Sequence, residues 1–196
     1  MSKYHRRSIR LKNYDYSQNG HYFITICTCN QQCLFGQIIN GKMILNKLGK
    51  IVRKQWLNIP KRYNNILLDE FVIMPNHLHG IIEILDNNVG ATLEVARPLE
   101  VVRPLEVVRS VVVATNRVTI KAAPTQPTIG NIVGGFKSLC VNHWLKYLKQ
   151  NNWFEINIKL WQRNYYEHII RNEQSLDKIR KYIKNNPLNW KMDRNN

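Results

Sequence analysis

The hydrophobic positions of the chain follow two alternating spacings. Runs rich in β-branched, aromatic and aliphatic residues, typical of strands, occupy residues 21–29, 65–74, 77–85 and 164–170. Apolar residues recur every three or four positions, as in amphipathic helices, over residues 48–59, over a stretch that begins after Thr128 and ends near Lys149, and over residues 171–185. The Asn40-Gly41 pair between short apolar runs predicts a small hairpin within residues 33–45.

The order of these segments predicts the fold class. It reads strand, helix, strand, strand, helix, strand, helix. A duplicated strand-helix-strand unit is typical of the split βαβ, ferredoxin-like plan. We therefore expect an α+β fold with a four-stranded antiparallel sheet, two helices on one face and an added C-terminal helix. Pro60 is expected to end the first helix, and Pro187 limits the last one.

A change of composition interrupts this single domain over residues 87–127. The hexapeptide Arg-Pro-Leu-Glu-Val-Val occupies residues 97–102 and again 103–108. A period of six is too short for a helical solenoid repeat, and the prolines argue against a central strand or helix. We interpret the segment as a long, flexible insertion, extended in places, without a catalytic role.

The charge of the chain favours a polyanionic partner. Lysine and arginine number 29 against 13 acidic residues, a formal net charge of +16. Aromatic rings follow or flank several basic stretches, a combination that suits phosphates and exposed bases. The basic residues predicted to contact nucleic acid are Arg6, Arg7, Arg10, Lys12, Arg163, Arg171, Lys178, Lys181 and Lys184.

The sequence predicts a cytoplasmic, nucleoid-associated protein without a membrane partner. No apolar run reaches the roughly 18 residues of a spanning helix, and the charged N-terminus lacks a following signal core. The four cysteines, Cys27, Cys29, Cys33 and Cys140, lack the second pair of a zinc ribbon. We interpret them as reduced thiols, although the first three could hold a soft metal.

His77 and His79 flank Leu78 in a predicted strand. Residues i and i+2 of a strand share a face, so both imidazoles can point to one spot while Leu78 enters the core. Two converging neutral imidazoles form half of a divalent-metal site. A His-hydrophobic-His pattern alone is weak, because a surface histidine pair produces the same spacing.

Tyr182 and Asn186 lie four residues apart on the final predicted helix and therefore on one face. The cations around Tyr182 favour a phosphate and a phenolate. A tyrosine can attack a phosphodiester and keep the phosphate as a covalent ester, while a metal polarises the phosphate and steadies the leaving oxygen. The amide oxygen of Asn186 could complete the metal shell.

The stretch 72–82, Val-Ile-Met-Pro-Asn-His-Leu-His-Gly-Ile-Ile, resembles the signature strand of HUH single-tyrosine transposases. Residues 132–138, 161–173 and 182–187 resemble the REP-associated tyrosine transposase branch of that superfamily. The resemblance spans residues 1–86 and 128–190. It implies a metal-dependent enzyme that nicks single-stranded DNA at hairpin-forming repeats and transfers the strand through a 5′-phosphotyrosine link.

On this resemblance, Tyr182 is the nucleophile, His77 and His79 are metal ligands, and Asn186 is the third ligand, where neighbouring families often carry glutamine. The metal is Mg²⁺ or Mn²⁺; two imidazoles suit Mn²⁺ better. Relatives include dimers with tyrosines that act in trans and monomers that act in cis, so a monomer and a homodimer both remain open.

Some roles remain open at this stage. Tyr166, Glu167 and His168 could belong to the active-site shell, with His168 as ligand, phosphate contact or hydrogen-bond donor. Glu83 or Glu167 could act as a base, and Tyr165 or Tyr166 as nucleophile is disfavoured. The alternative function is a domesticated DNA-hairpin-binding protein without transposition activity. An RNA recognition module is disfavoured, because its aromatic sheet motifs are missing.

Overall fold

The computed structural model describes residues 14–86, 126–152, 159–193 and 195. Its strands and helices are β1 (Gly20–Cys27), β2 (Gly36–Ile39), β3 (Lys42–Leu45), α1 (Lys47–Leu57), α2 (Ile59–Arg62), β4 (Ile66–Ile73), β5 (His77–Ile84), α3 (Ile129–Gln150), β6 (Tyr166–Ile170) and α4 (Glu173–Asn185). The insertion predicted over residues 87–127 lies almost wholly outside the described residues. So do four predicted nucleic-acid contacts, Arg6, Arg7, Arg10 and Lys12.

The predicted α+β class is confirmed. Four strands form one sheet in the order β4-β5-β1-β6, and each neighbouring pair is antiparallel. The strands β2 and β3 form a separate hairpin, as predicted, and its turn residues Asn40 and Gly41 both have positive φ. That conformation suits the right-handed twist of a two-residue hairpin turn.

The two faces of the sheet carry different layers. On one face, Ile24 of β1 and Leu78 of β5 belong to a large buried cluster that also includes residues of α1 and α3, such as Trp56. On the other face, a smaller cluster contains Phe23 and Ile81 together with residues of α4. Because strand residues alternate, this arrangement turns the odd-numbered residues of β5 toward α4.

A close approach holds α1 against β5 beside the predicted metal site. A Cβ atom at Gly80 would lie 2.3 Å from the ring of Trp56, which is fully buried. Any larger residue at position 80 would push α1 away from the strand. Glycine is therefore required here for packing between α1 and the histidine strand.

Two helix boundaries differ from those predicted from the sequence. Pro60 does not end α1, which stops at Leu57; it lies in the first turn of the short helix α2, where its missing N–H is not needed. The helix α4 begins at Glu173 and not at residue 171, because the Asn172 side chain caps it by accepting from the Ser175 N–H. Within the described ranges, none of the helices combines the length and apolar composition needed to cross a membrane.

Candidate metal and nucleophile site

The two histidines of β5 lie side by side on the α4 face of the sheet. His77 and His79 are buried, and their ring centroids are 4.4 Å apart. Leu78 between them is fully buried on the opposite face, in the cluster that includes α1 and α3. The alternation of the strand thus brings both imidazoles into one buried pocket.

Asn76 fixes the tautomer of His77. The Asn76 Nδ2 group donates to the carbonyls of Gln31 and Asn195, at 3.1 and 2.6 Å, so its Oδ1 is the atom that faces the imidazole. His77 Nδ1 therefore donates to Asn76 Oδ1, at 2.7 Å. The lone pair of His77 then resides on Nε2, which is buried and has no hydrogen-bond partner among the described residues. A buried, unpartnered acceptor is costly unless something binds it.

His79 is held in the same manner from the neighbouring strand. Its Nδ1 lies 2.8 Å from the hydroxyl of Thr25, the residue that pairs with it across β1 and β5. Its Nε2 lies 3.1 Å from the hydroxyl of Tyr182. A neutral imidazole has one lone pair, so the Nε2 of His79 can accept this hydrogen bond or bind a metal, but not both.

Both imidazoles are neutral at physiological pH. Burial lowers the pKa of His77 to about 4, and the nearby carboxylate of Asp193 offsets only part of this effect. Burial and the neighbouring His77 lower the pKa of His79 to about 3. Neutral imidazoles are the form that binds a metal.

These pKa values predict that the metal-free protein loses stability in acid. Each histidine has a pKa near 6.5 when unfolded, so the unfolded state binds more protons between pH 4 and pH 6.5. The free energy of unfolding should therefore fall as the pH drops through this window, by at most about 1.4 kcal/mol per pH unit for each histidine. Urea unfolding at pH 7.5 and pH 5.0 with a chelator present would measure the fall.

The matched control is the double variant His77→Gln, His79→Gln. It retains buried polar side chains but cannot be protonated, so its stability should fall less between the same two pH values. An equal fall in the wild type and the double variant would show that other groups cause the acid sensitivity.

Tyr182 approaches the histidines from α4. Its side chain is 43% exposed, and its ring lies edge-on to Phe23 and His79, at centroid distances of 6.2 and 5.2 Å. The buried side chains of Leu176 and Ile183 anchor the helix on the sheet. Burial of two such aliphatic side chains contributes about 3–6 kcal/mol, which makes packing the main force that positions the tyrosine.

Arg180 adds a polar clamp between α4 and the edge strand β4. The pairing between β4 and β5 changes register between Leu68 and Phe71, and Asp69 and Glu70 lie at this irregularity. Arg180 donates to both carboxylate oxygens of Asp69, at 2.7 to 3.2 Å, and Lys184 lies 2.9 Å from Glu70. Burial would raise the pKa of Asp69, but the Arg180 hydrogen bonds hold it below its ordinary value.

The C-terminal segment brings a carboxylate into the pocket. Asp193 Oδ2 lies 3.9 Å from His77 Nε2 and 4.0 Å from His79 Nε2, and the Asp193 side chain is almost fully buried. Burial would raise the pKa of Asp193, but hydrogen bonds from Asn195 and Asn186 and the two histidines lower it. The carboxylate is therefore charged at neutral pH.

Asn186 lies one helical turn after Tyr182. Its side chain forms a hydrogen bond with Asp193 and not with the imidazoles. Its Nδ2 donates to Asp193 Oδ2 at 2.8 Å, while its buried Oδ1 has no hydrogen-bond partner among the described residues. The ligand atoms of His77, His79 and Asp193 all lie within 4.8 Å of one another. Two neutral nitrogens, a carboxylate and unpartnered buried acceptors fit a divalent cation.

Asp193 was missed from the sequence, as were Thr25 and Asn76. The nearest sequence signals are that Asn76 directly precedes His77 and that Asp193 is an acid within a basic C-terminal stretch. Thr25 and Asp193 reach the site only through strand register and the turn at Trp190–Met192. Neither of these is visible as a spacing in the sequence.

The remaining predicted site residues line two other areas. Tyr166, on the α4 face, is the register partner of Thr25, two strands away from His79. It lines an open cleft together with His168 and Arg171. Glu167 is the register partner of Ile24 and is buried on the other face of the sheet, away from the imidazoles.

The predicted basic contacts that the structure describes are exposed. Lys178, Lys181 and Lys184 lie on the outer side of α4, near Tyr182 in sequence. Arg163 lies in a loop whose flanking carbonyls, of Gln162 and Asn164, accept from Lys137 at 2.8 and 3.0 Å. Burial lowers the pKa of Lys137 to about 8.

The four cysteines are free thiols.

Comparison with known proteins gives one close relative and a shared fold. No family model matches the chain. An uncharacterized protein of Haemophilus influenzae is 46% identical over 190 residues, which cover 97% of this chain and 92% of that protein. Among solved structures, a REP-associated tyrosine transposase bound to a REP hairpin aligns with a TM-score of 0.51 at 15% identity, over 97% of this chain and 74% of that one. At this identity the structural likeness shows the fold.

Proposed function

We propose that this chain, which belongs to the same protein family as the uncharacterized Haemophilus influenzae protein, is a metal-dependent tyrosine transposase that nicks and rejoins single-stranded DNA. The observation that carries the proposal is the contact between the Tyr182 hydroxyl and His79 Nε2, 3.1 Å apart, beside His77 and Asp193. The strand order β4-β5-β1-β6, with α1 and α3 on one face and α4 on the other, supports the ferredoxin-like plan expected of this enzyme class.

His77, His79 and Asp193 are the residues that would hold the metal. When bound there, Mg²⁺ or Mn²⁺ would polarise the scissile phosphate and stabilise the leaving oxygen. Asn76 and Thr25 orient the imidazoles through their Nδ1 atoms. This leaves His77 Nε2 for coordination, and His79 Nε2 becomes available to a metal when the Tyr182 hydroxyl gives up its hydrogen bond to it. Two nitrogen ligands favour Mn²⁺ over Mg²⁺, which prefers oxygen.

Tyr182 supplies the nucleophile. Its phenolic oxygen bonds to phosphorus, the bond to the 3′ oxygen breaks, the released 3′ oxygen takes up a proton, and the phenolic proton passes to water. The DNA 5′ phosphate stays on Tyr182 as an ester, and the reverse reaction rejoins a strand. The exposed lysines of α4, such as Lys181, would hold the backbone on either side of the scissile phosphate.

The third metal ligand is Asp193, and Asn186 orients it. Replacement of Asp193 by alanine removes both a proposed ligand and the carboxylate of the cluster. It should weaken Mn²⁺ binding by more than the roughly 10- to 100-fold that changes of outer-shell partners cost. Asn186→Ala removes the hydrogen bond to Asp193 and should cost about 10-fold, as outer-shell partners of metal ligands do. Isothermal titration of each variant with Mn²⁺, without DNA, measures both effects. A larger loss for Asn186→Ala would make the amide oxygen the ligand and Asp193 its neighbour.

A covalent-adduct assay tests the function. The purified protein is incubated with labelled single-stranded oligonucleotides, with and without a hairpin, in Mn²⁺ or Mg²⁺. We expect an adduct that survives denaturation, forms only with a divalent metal and is strongest with the hairpin substrate. Size-exclusion chromatography with light scattering would show whether the active species is a monomer or a homodimer.

The alternative function makes a different prediction in the same assay. A domesticated hairpin-binding protein would bind the oligonucleotide, with an affinity that falls steeply with salt, but would never form the adduct. Binding without an adduct across a panel of hairpin sequences, in both metals, would overturn the enzyme proposal.

A further inference from the structure

The helical layer on the opposite face of the sheet concentrates positive charge that the proposed catalytic site does not use. Lysine and arginine number four in α1, two in α2 and three in α3, and these helices contain no aspartate or glutamate. The helix α4, by contrast, carries Glu173 and Asp177 among its cations. The field of the α1–α3 layer is therefore not neutralised within the layer.

Part of this charge lines a groove between α1 and α3. Its walls include the α1 lysines Lys47, Lys50 and Lys54 and, from α3, Lys146 and Tyr147. The α1 lysines recur at i, i+3 and i+7, so they share one face and span about 10 Å, close to the rise of three base pairs of a duplex. All four lysines are exposed.

The groove suits a sugar-phosphate backbone better than unstacked bases. The Tyr147 ring, which could serve as a platform for a base, is stacked with Trp144 at a centroid distance of 5.4 Å. The Lys47 ammonium lies over the same ring, 5.0 Å from its centroid. Lysines act as point charges toward phosphates, whereas single-strand binding needs rings open to stacking.

We propose that the α1–α3 groove binds the backbone of double-stranded DNA, as a second site distinct from the one at Tyr182. The choice of DNA rests on the proposed function. The choice of a duplex rests on the exposed lysines and on the Tyr147 ring, which already contacts Trp144 and Lys47. Because the sheet separates the groove from Tyr182, the stem of a hairpin and its single-stranded flank would contact different faces of the protein.

Two matched triple variants test this proposal. One removes charge from the groove (Lys47→Gln, Lys50→Gln, Lys146→Gln), and the other removes the same charge from α4 (Lys178→Gln, Lys181→Gln, Lys184→Gln). Fluorescence anisotropy without divalent metal measures the affinity of each for a short DNA duplex over a range of salt. A second assay measures adduct formation on an oligonucleotide that has no stem, and thermal melting checks that both variants fold.

The groove variant should bind the duplex about 10-fold or more weaker, and the slope of log affinity against log salt should decrease by about 2.7, or 0.9 for each phosphate contact. Its adduct formation on the stemless oligonucleotide should match the wild type. The α4 variant should show the converse pattern. Equal losses of duplex affinity in both variants, or none in the groove variant, would overturn the proposal.

The two proposals fail separately. If no adduct forms with any variant while only the groove variant loses duplex affinity, the enzyme proposal falls and the groove remains a DNA site. Preference of the wild type for a matched RNA duplex by more than about 10-fold would assign the groove to RNA and overturn the choice of DNA.

Discussion

Replacement of Tyr182 by phenylalanine is expected to abolish the covalent protein–DNA adduct. The substitution removes the one atom that would bond to phosphorus and leaves the ring in its contacts with Phe23 and His79. Loss of a nucleophile lowers the rate by a factor on the order of 10³ or more, which brings the adduct below detection. The fold should persist, because the lost hydrogen bond to His79 stabilises it by only about 1 kcal/mol.

Tyr166→Phe is the matched control for this experiment. Tyr166 is 47% exposed against 43% for Tyr182, and its ring also lies edge-on to Phe23, at 6.3 Å. It differs in its position on β6, two strands from His79. Adduct yield on the hairpin oligonucleotide should therefore be near wild type for Tyr166→Phe. An adduct that persists in Tyr182→Phe and disappears in Tyr166→Phe would show that the nucleophile is Tyr166 on β6.

Local sequence patterns were sufficient for the elements that carry the site. The start of β5 at His77 was predicted because Pro75-Asn76 interrupts the apolar run, and the strand period then placed both histidines on one face. The same reasoning put Tyr182 and Asn186 on one face of α4. These predictions depend only on residues a few positions apart.

Thr25 and Asp193, which the sequence does not predict as site residues, reach the site through contacts between distant parts of the chain. Thr25 meets His79 because β1 and β5 pair in one particular register, and a shift of one residue would turn Thr25 to the other face. Asp193 meets both histidines because the chain turns back after Asn186 through the turn at Trp190–Met192. No spacing in the sequence encodes either event, so the sequence predicts Asn186 as the third ligand, and Asp193 becomes a candidate only in the folded chain.

Replacement of His77 by glutamine should remove metal binding and adduct formation together. His77 is a clean probe of the metal, since His79 also contacts the Tyr182 hydroxyl and its loss would change two functions at once. The Nε2 of His77 is buried without a hydrogen-bond partner among the described residues, which is the state expected of a ligand atom. Loss of a direct ligand should lower Mn²⁺ affinity by more than the roughly 10- to 100-fold that outer-shell changes cost.

The control for His77→Gln is His21→Gln on the same face of the sheet. His21 pairs with Glu83 near the start of β1, whereas His77 pairs with Cys27 at the end of that strand. The His21 ring lies 3.6 Å from the Glu83 carboxylate and is not part of the cluster of His77, His79 and Asp193. Calorimetric titration with Mn²⁺ should give wild-type affinity for His21→Gln and a large loss for His77→Gln, and the adduct assay should follow the same order. Because the calorimetry needs no DNA, it separates a missing metal from a missing substrate contact. Wild-type Mn²⁺ affinity in His77→Gln would show that the buried imidazole pair is structural, and the metal site would have to lie elsewhere.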